Sequence, residues 1–170
     1  MIEHPIPPVV STDPKNPPRI LILGSFPSVK SRETAFFYGH PQNRFWHVLP
    51  ALFDEPIPTT IEEKTAFCHT HGIALWDVIA ACEIHGSSDA SIRNVTPTDL
   101  TPLLSLGTIQ TIFTNGTTAT RLYTKYQYPI THISTIPLPS TSPANAARTL
   151  IDLIEAWAPV KTALDLSENA

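Results

Sequence analysis

The chain has 170 residues, 42% of them hydrophobic and only 15% charged, with a formal net charge of −4. That length fits one compact domain rather than two, and that composition excludes a largely disordered chain. No apolar run approaches the ~20 residues of a membrane-spanning helix, residues 1–10 carry neither a basic nor an apolar signal region, and two cysteines, Cys68 and Cys82, cannot complete a four-ligand zinc or iron–sulfur set.

Residues 1–18, with six prolines, read as an extended arm, and 158–170 as a frayed tail. Residues 19–24 form a short apolar run closed by Gly24, the signature of a strand buried on both faces. Residues 43–53 suit a helix opened by Pro41, with Asn43 in its first turn and Pro50 near its end. A helix over 61–71 has Gly72 as its C-terminal cap. A second apolar run covers 73–79. A short helix is expected over 99–106, a third strand over 109–114, a helix over 117–126 and a fourth strand over 130–136. The last helix starts from Ser142 as cap and Pro143 as first residue, and carries Ala147, Leu150, Ile151, Ile154 and Trp157 at helical spacing. Strands alternating with helices predict a single three-layer α/β domain over 19–157, with a central four-stranded, mainly parallel sheet flanked by helices.

In such sheets ligands bind beyond the carboxyl ends of the strands. The loops there hold Gly24-Ser25-Phe26-Pro27-Ser28, then Asp77, Asn115-Gly116, and Leu138 to Asn145. Ser140, Thr141 and Ser142, placed ahead of a helix, read as an anion site. Asn43 is a weak helix former whose amide wants partners, so packing explains it poorly. Asp77 and Asp89 are available as general bases. No histidine has metal-ligand spacing, and neither Ser25 nor Ser28 has the Gly-x-Ser-x-Gly elbow of a hydrolase. Positive charge concentrates in two stretches, one with Lys15, Arg19, Lys30, Arg32 and Arg44, the other with Arg121, Lys125 and Arg148. If they meet in space, they make a local surface for a polyanion.

Six segments in register resemble the uracil-DNA glycosylase superfamily, and within it the DNA-deoxyinosine (hypoxanthine-DNA) glycosylase branch. They are 20–33 (Ile20 through Glu33), 36–46 with His40-Pro41-Gln42-Asn43-Arg44-Phe45-Trp46, 72–79, 91–94, 113–116 and 138–145. The resemblance implies a flipped-base pocket at the carboxyl edge of a four-stranded parallel sheet. Relatives carry a polar, water-activating residue where this chain has Phe26, and the branch assigns that work to the asparagine that is Asn43 here. Phe45 becomes a stacking partner for the base, Asn115 a reader of its edge, and Gly24, Ser25 and Phe26 part of the base site. Ser140, Thr141, Ser142 and Asn145 become contacts to the DNA backbone. The implied protein is a monomeric, cytoplasmic, monofunctional glycosylase acting on DNA with deaminated bases, hypoxanthine first, with no metal and no cofactor. Uracil or xanthine preference, a non-catalytic nucleic-acid-binding module on the same fold, and a small-molecule hydrolase are the alternatives.

Overall fold

The computed structural model describes residues 1–168. In chain order its elements are β1 (Ile2–Glu3), β2 (Ile20–Gly24), α1 (Val29–Thr34), α2 (Phe45–Ala51), α3 (Ile61–His71), β3 (Ile73–Asp77), β4 (Ile79–Glu83), β5 (Arg93–Pro97), α4 (Thr101–Leu104), β6 (Thr111–Asn115), α5 (Thr117–Leu122), a π-helical turn (Tyr123–Gln127), α6 (Tyr128–Thr131), β7 (Thr135–Leu138), α7 (Leu150–Ala156) and α8 (Ala158–Glu168).

The expected sheet is present: β3-β2-β6-β7, all neighbours parallel. Its alternating side chains feed two cores. Ile20, Ile22, Ile73, Leu75 and Phe113 face α2, α3, α7 and α8, whereas Leu21, Leu23, Ala74 and Ile112 face α4, α5 and a second sheet. Pro137 lies in β7, an edge strand, where a missing N–H is tolerated.

That second sheet, antiparallel in the order β1-β4-β5, has no sequence signal of its own. The apolar run 73–79 is not one strand, because it divides at Val78. There the backbone N–H donates to the Gly24 carbonyl, and the Val78 carbonyl accepts from Thr98 N–H and from the buried Gln127 amide. β3 therefore ends in the parallel sheet and β4 begins the other.

The N-terminal arm is extended, and it is docked. Ile2 and Glu3 pair with Cys82 and Ala81, Val9 bridges Leu75 across the free edge of β3, and Ile6 and Val9 are buried.

Three expectations are corrected. Residues 158–168 are not frayed: they form α8, which buries Val160 and Leu164, while the part of the tail at 169–170 lies outside the described residues. The fourth strand covers Thr135–Leu138 rather than 130–136, because 128–131 continue the helical path out of the π turn. The last helix starts at Leu150, not Pro143. Thr149 is its N-cap and makes a reciprocal capping box with Asp152, so 142–149 form turns.

Candidate active site

A cavity of about 320 Å³ opens at the carboxyl edge of the parallel sheet. It is at the small end of the ~300–1,000 Å³ usual for small-molecule sites. Gly24, Ser25, Phe26, Asn43, Asn115, Ser140, Thr141 and Ser142 all line it, joined by Tyr38, His40, Asp77 and Asp89. A more open groove of about 740 Å³ continues from it past Asp89, Ser140, Ser142, Asn145 and Arg148.

Asn43 lies before α2, not in its first turn, because the helix begins two residues later. Its Oδ1 accepts from the Phe45 backbone N–H at 2.9 Å, and its own N–H donates to the His40 carbonyl. This Asx turn fixes the amide plane and leaves Oδ1 one lone pair and Nδ2 both hydrogens.

Next to it, Arg44 ties down the loop after β7. Its guanidinium donates to the carbonyls of Ser142, Asn145 and Arg148, and its backbone N–H to that of Thr141. Arg44 and Arg148 therefore bring the two basic stretches together beside the cavity.

At the end of β6, Asn115 is locked against Thr141. Nδ2 donates to Thr141 Oγ1 at 3.0 Å, and Oδ1 accepts from the Thr141 N–H at 3.1 Å. One hydrogen and one lone pair of this amide remain, next to the Tyr38 hydroxyl on the cavity side.

The polar loop is stitched by its own side chains. Ser140 Oγ accepts from Ser142 N–H, Ser142 Oγ from Ala144 N–H, and Asn145 Nδ2 donates to the Ser140 carbonyl. The expected anion site on a helix N-terminus is overturned, because no helix starts within this loop. Thr141 is fully buried and occupied by Asn115, so it is structural. Ser140 and Ser142 keep their hydroxyl hydrogens for donation.

Phe45 is also corrected. It is fully buried and lies off the cavity, its ring stacked on Tyr38 at 3.9 Å between centroids and edge-on to Trp46 and Trp157. The aromatic ring from the Gly24-Ser25-Phe26 turn does reach the cavity, with Arg32 5.7 Å above its face.

The polar floor was only partly legible. Asp77, the last residue of β3, is buried, and its Oδ2 meets His4 Nε2 from β1's end of the arm at 2.6 Å. Ile6 N–H donates to His4 Nδ1, so the ring's proton sits on Nε2 and is donated to the carboxylate. Gly24 makes room for Asp77: a Cβ there would fall 2.5 Å from Asp77 Oδ1 and 3.3 Å from the Tyr38 hydroxyl.

Tyr38 has a left-handed backbone (φ 54°), and its buried hydroxyl has no hydrogen-bond partner. Burial, followed by the Asp77 carboxylate, pushes its phenol far above the ordinary range, opposed by the Asn115 side chain beside it. Asp89 is exposed as a residue, yet its carboxyl turns in to accept from Ser25 Oγ at 3.0 Å. Burial of that end raises its pKa, the Ser25 hydrogen bond lowers it, and Asp77 raises it further. The signal for Asp77 was its place as the polar end of an apolar strand. His4, 73 residues away in sequence, had none.

Among the described residues no cluster of histidine, cysteine, aspartate or glutamate could hold a metal, and no helix is long and apolar enough to cross a membrane.

The model of the uracil DNA glycosylase superfamily matches residues 11–161. Over 95 residues the chain is 32% identical to a hypoxanthine DNA glycosylase of Methanosarcina barkeri, covering 55% of this chain and 58% of that one. Over 74 residues it is 39% identical to a hypoxanthine DNA glycosylase of Methanosarcina acetivorans, covering 43% and 47%. The chain thus spans about half the length of these curated relatives. The solution NMR structure of a candidate uracil DNA glycosylase from M. acetivorans superposes with a TM-score of 0.79 at 30% identity, covering 97% of this chain and 99% of that one. The chain belongs to the uracil DNA glycosylase superfamily.

Proposed function

We propose that the protein is a DNA glycosylase that extrudes a deaminated base, hypoxanthine in deoxyinosine before others, and hydrolyses its N-glycosidic bond. One observation carries this reading: two asparagine amides, each fixed by its own hydrogen bonds, converge on a single cavity at the sheet's carboxyl edge. The names of the two curated relatives support the choice of base.

A base within a duplex is out of reach, so the nucleotide must flip into the cavity at a cost of a few kcal/mol, least at a mismatch. Stacking on Phe26, not on Phe45, returns roughly 1–3 kcal/mol. Asparagine cannot take a proton, so Asn43 acts by position: the free lone pair of Oδ1 holds water under the anomeric carbon. The departing base develops negative charge, which the spare Nδ2 hydrogen of Asn115 stabilises. The neighbouring groove takes the DNA backbone, with Ser140 and Ser142 hydroxyls and the charges of Arg44 and Arg148 on the phosphates. No lysine lines the cavity among the described residues, so the product is an intact abasic site and borohydride traps no adduct. The enzyme works as a cytoplasmic monomer.

The test incubates purified protein with end-labelled duplexes containing deoxyinosine, deoxyuridine or deoxyxanthosine, followed by alkali. Strand scission at inosine, lost in a folded Asn43→Ala variant, is the expected result. Scission at uracil alone would overturn the assignment of the base. DNA binding without scission at any base would replace an enzyme with a binding module.

A further inference from the structure

We propose that Tyr38 and Asp77, the latter clamped by His4, form a donor–acceptor pair that reads the lactam edge of the flipped base. This rests on the glycosylase reading above and adds how the base is chosen.

Deamination converts an amidine edge into a lactam. Adenine offers an N6–H donor beside the N1 lone pair, whereas hypoxanthine offers the O6 acceptor beside an N1–H donor. Cytosine and uracil differ in the same sense at C4 and N3. A site that selects deaminated bases therefore needs one fixed donor next to one fixed acceptor.

The cavity floor holds such a pair beside Gly24, with Asp77 Oδ1 and the Tyr38 hydroxyl 2.5 Å and 3.3 Å from where a Cβ would stand. Tyr38 supplies the donor. Its hydroxyl is closed off from solvent and makes no full hydrogen bond, with the Asn115 amide its nearest polar neighbour, so an acceptor on a ligand would satisfy it. The strained left-handed backbone at Tyr38 and the ring stack on Phe45 hold it there. Its raised pKa keeps the proton on the oxygen at any working pH.

Asp77 supplies the acceptor, and His4 makes it acceptor-only. With Nδ1 occupied by the Ile6 N–H, His4 can only donate through Nε2, which fixes Oδ2. Oδ1 is left to meet the ring N–H. Adenine would place N1 against the carboxylate, lone pair against lone pair. Guanine shares the lactam edge, so this pair does not reject it; the higher cost of flipping it from a matched pair does.

The test measures binding of free hypoxanthine and free adenine to the full chain, alongside excision of inosine. In Asp77→Asn, His4 retains the amide oxygen and turns the NH₂ toward the base. Hypoxanthine binding should fall roughly 10–100-fold while its preference over adenine disappears. Tyr38→Phe should lose about 10-fold on hypoxanthine and little on adenine. His4→Gln, whose amide N–H can still donate to Asp77, should keep the preference that His4→Leu loses, which a purely structural His4 would not show. Wild-type preference retained in both Asp77→Asn and Tyr38→Phe, or no base binding by the wild type, overturns the pair. Selective hypoxanthine binding with no excision overturns the glycosylase reading and leaves the pair standing.

Discussion

Replacing Gly24 with alanine probes the geometry of the cavity floor directly. The residue ends β2 fully inside the protein, and its φ is not left-handed, so the effect is steric alone. The new Cβ would lie 2.5 Å from Asp77 Oδ1, roughly 1 Å inside van der Waals contact. A free carboxylate would swing aside at little cost. This one is held on its other oxygen by His4, whose ring packs against Phe26 and Phe37. Relief requires either breaking the charge-assisted hydrogen bond, about 1.5–3 kcal/mol, or shifting backbone in an overpacked core, about 1–3 kcal/mol. The expected loss is therefore about 1.5–3 kcal/mol, or ~3–12 °C in Tm for a domain of this size. Urea unfolding followed by tryptophan fluorescence reads it. Gly24→Ala with Asp77→Ser should recover more than 1 kcal/mol relative to the sum of the single changes. If Gly24→Ala stays within about 0.5 kcal/mol of wild type, Asp77 is not clamped and the account of the floor is wrong.

Phe45→Ala should cost about 3–5 kcal/mol in urea unfolding through the cavity it leaves; a stable variant with only weakened base binding would restore Phe45 as a stacking residue. Thr141→Val removes the Oγ1 acceptor of Asn115 while keeping shape, so inosine excision should fall about 10-fold with duplex binding unchanged; unchanged excision would show that Asn115 needs no such orientation. Burial raises both the Cys68 thiol and the Tyr38 phenol, so each holds its proton more tightly folded than unfolded. That contribution is whole below the ordinary thiol value of ~8.5 and declines as pH rises above it. Urea midpoints should fall above that pH, and Cys68→Ala should remove the earliest part of the fall; parallel curves for the two proteins would refute it. Affinity for an inosine duplex, measured with Asn43→Ala, should fall with a log–log salt slope of about −3, reflecting three or so phosphates neutralised; a slope steeper than about −6 would point to a far larger basic footprint than Arg32, Arg44, Arg121 and Arg148.

The parts of the fold legible in the sequence are those whose cause is local. Ile20 to Leu23 is apolar at every position because both faces are covered, and Gly72 ends α3 by capping alone. Misreadings arise where a distant partner overrides a local signal. Ile130, Thr131 and Ile133 look like strand, but the Tyr123 hydroxyl bonds Thr131 and the Ile133 carbonyl and pulls the segment onto the helix before it. Ser142-Pro143 is a good helix start, yet Arg44 takes the Ser142 carbonyl, and the start moves to Thr149. Site residues divide the same way. Asn43, Asn115 and Gly24 stand out because strand and helix packing alone does not call for an amide or a glycine at those positions. Phe45 was assigned to the base by its place in a motif, whereas its environment is set by Trp157, 112 positions later, and Tyr38, which cover it.

The hydrogen bonds around Thr141 and Arg44 make separate-looking parts of the site one unit. Thr141 takes both ends of the Asn115 amide, and its carbonyl accepts from Arg44 N–H. Arg44 follows Asn43 directly, and its guanidinium grips three carbonyls of the loop from Ser142 to Arg148. A backbone pressed into the adjoining groove would therefore push on a loop that is bonded, within one or two residues, to both amides facing the base. Neither amide can turn independently, since Asn43 is held by Phe45 N–H and Asn115 by Thr141. Two neutral side chains in a mobile loop would spend most of their time misaligned; fixed through one threonine and one arginine, they arrive at the base already oriented. A centre without a general base depends on that preorganisation.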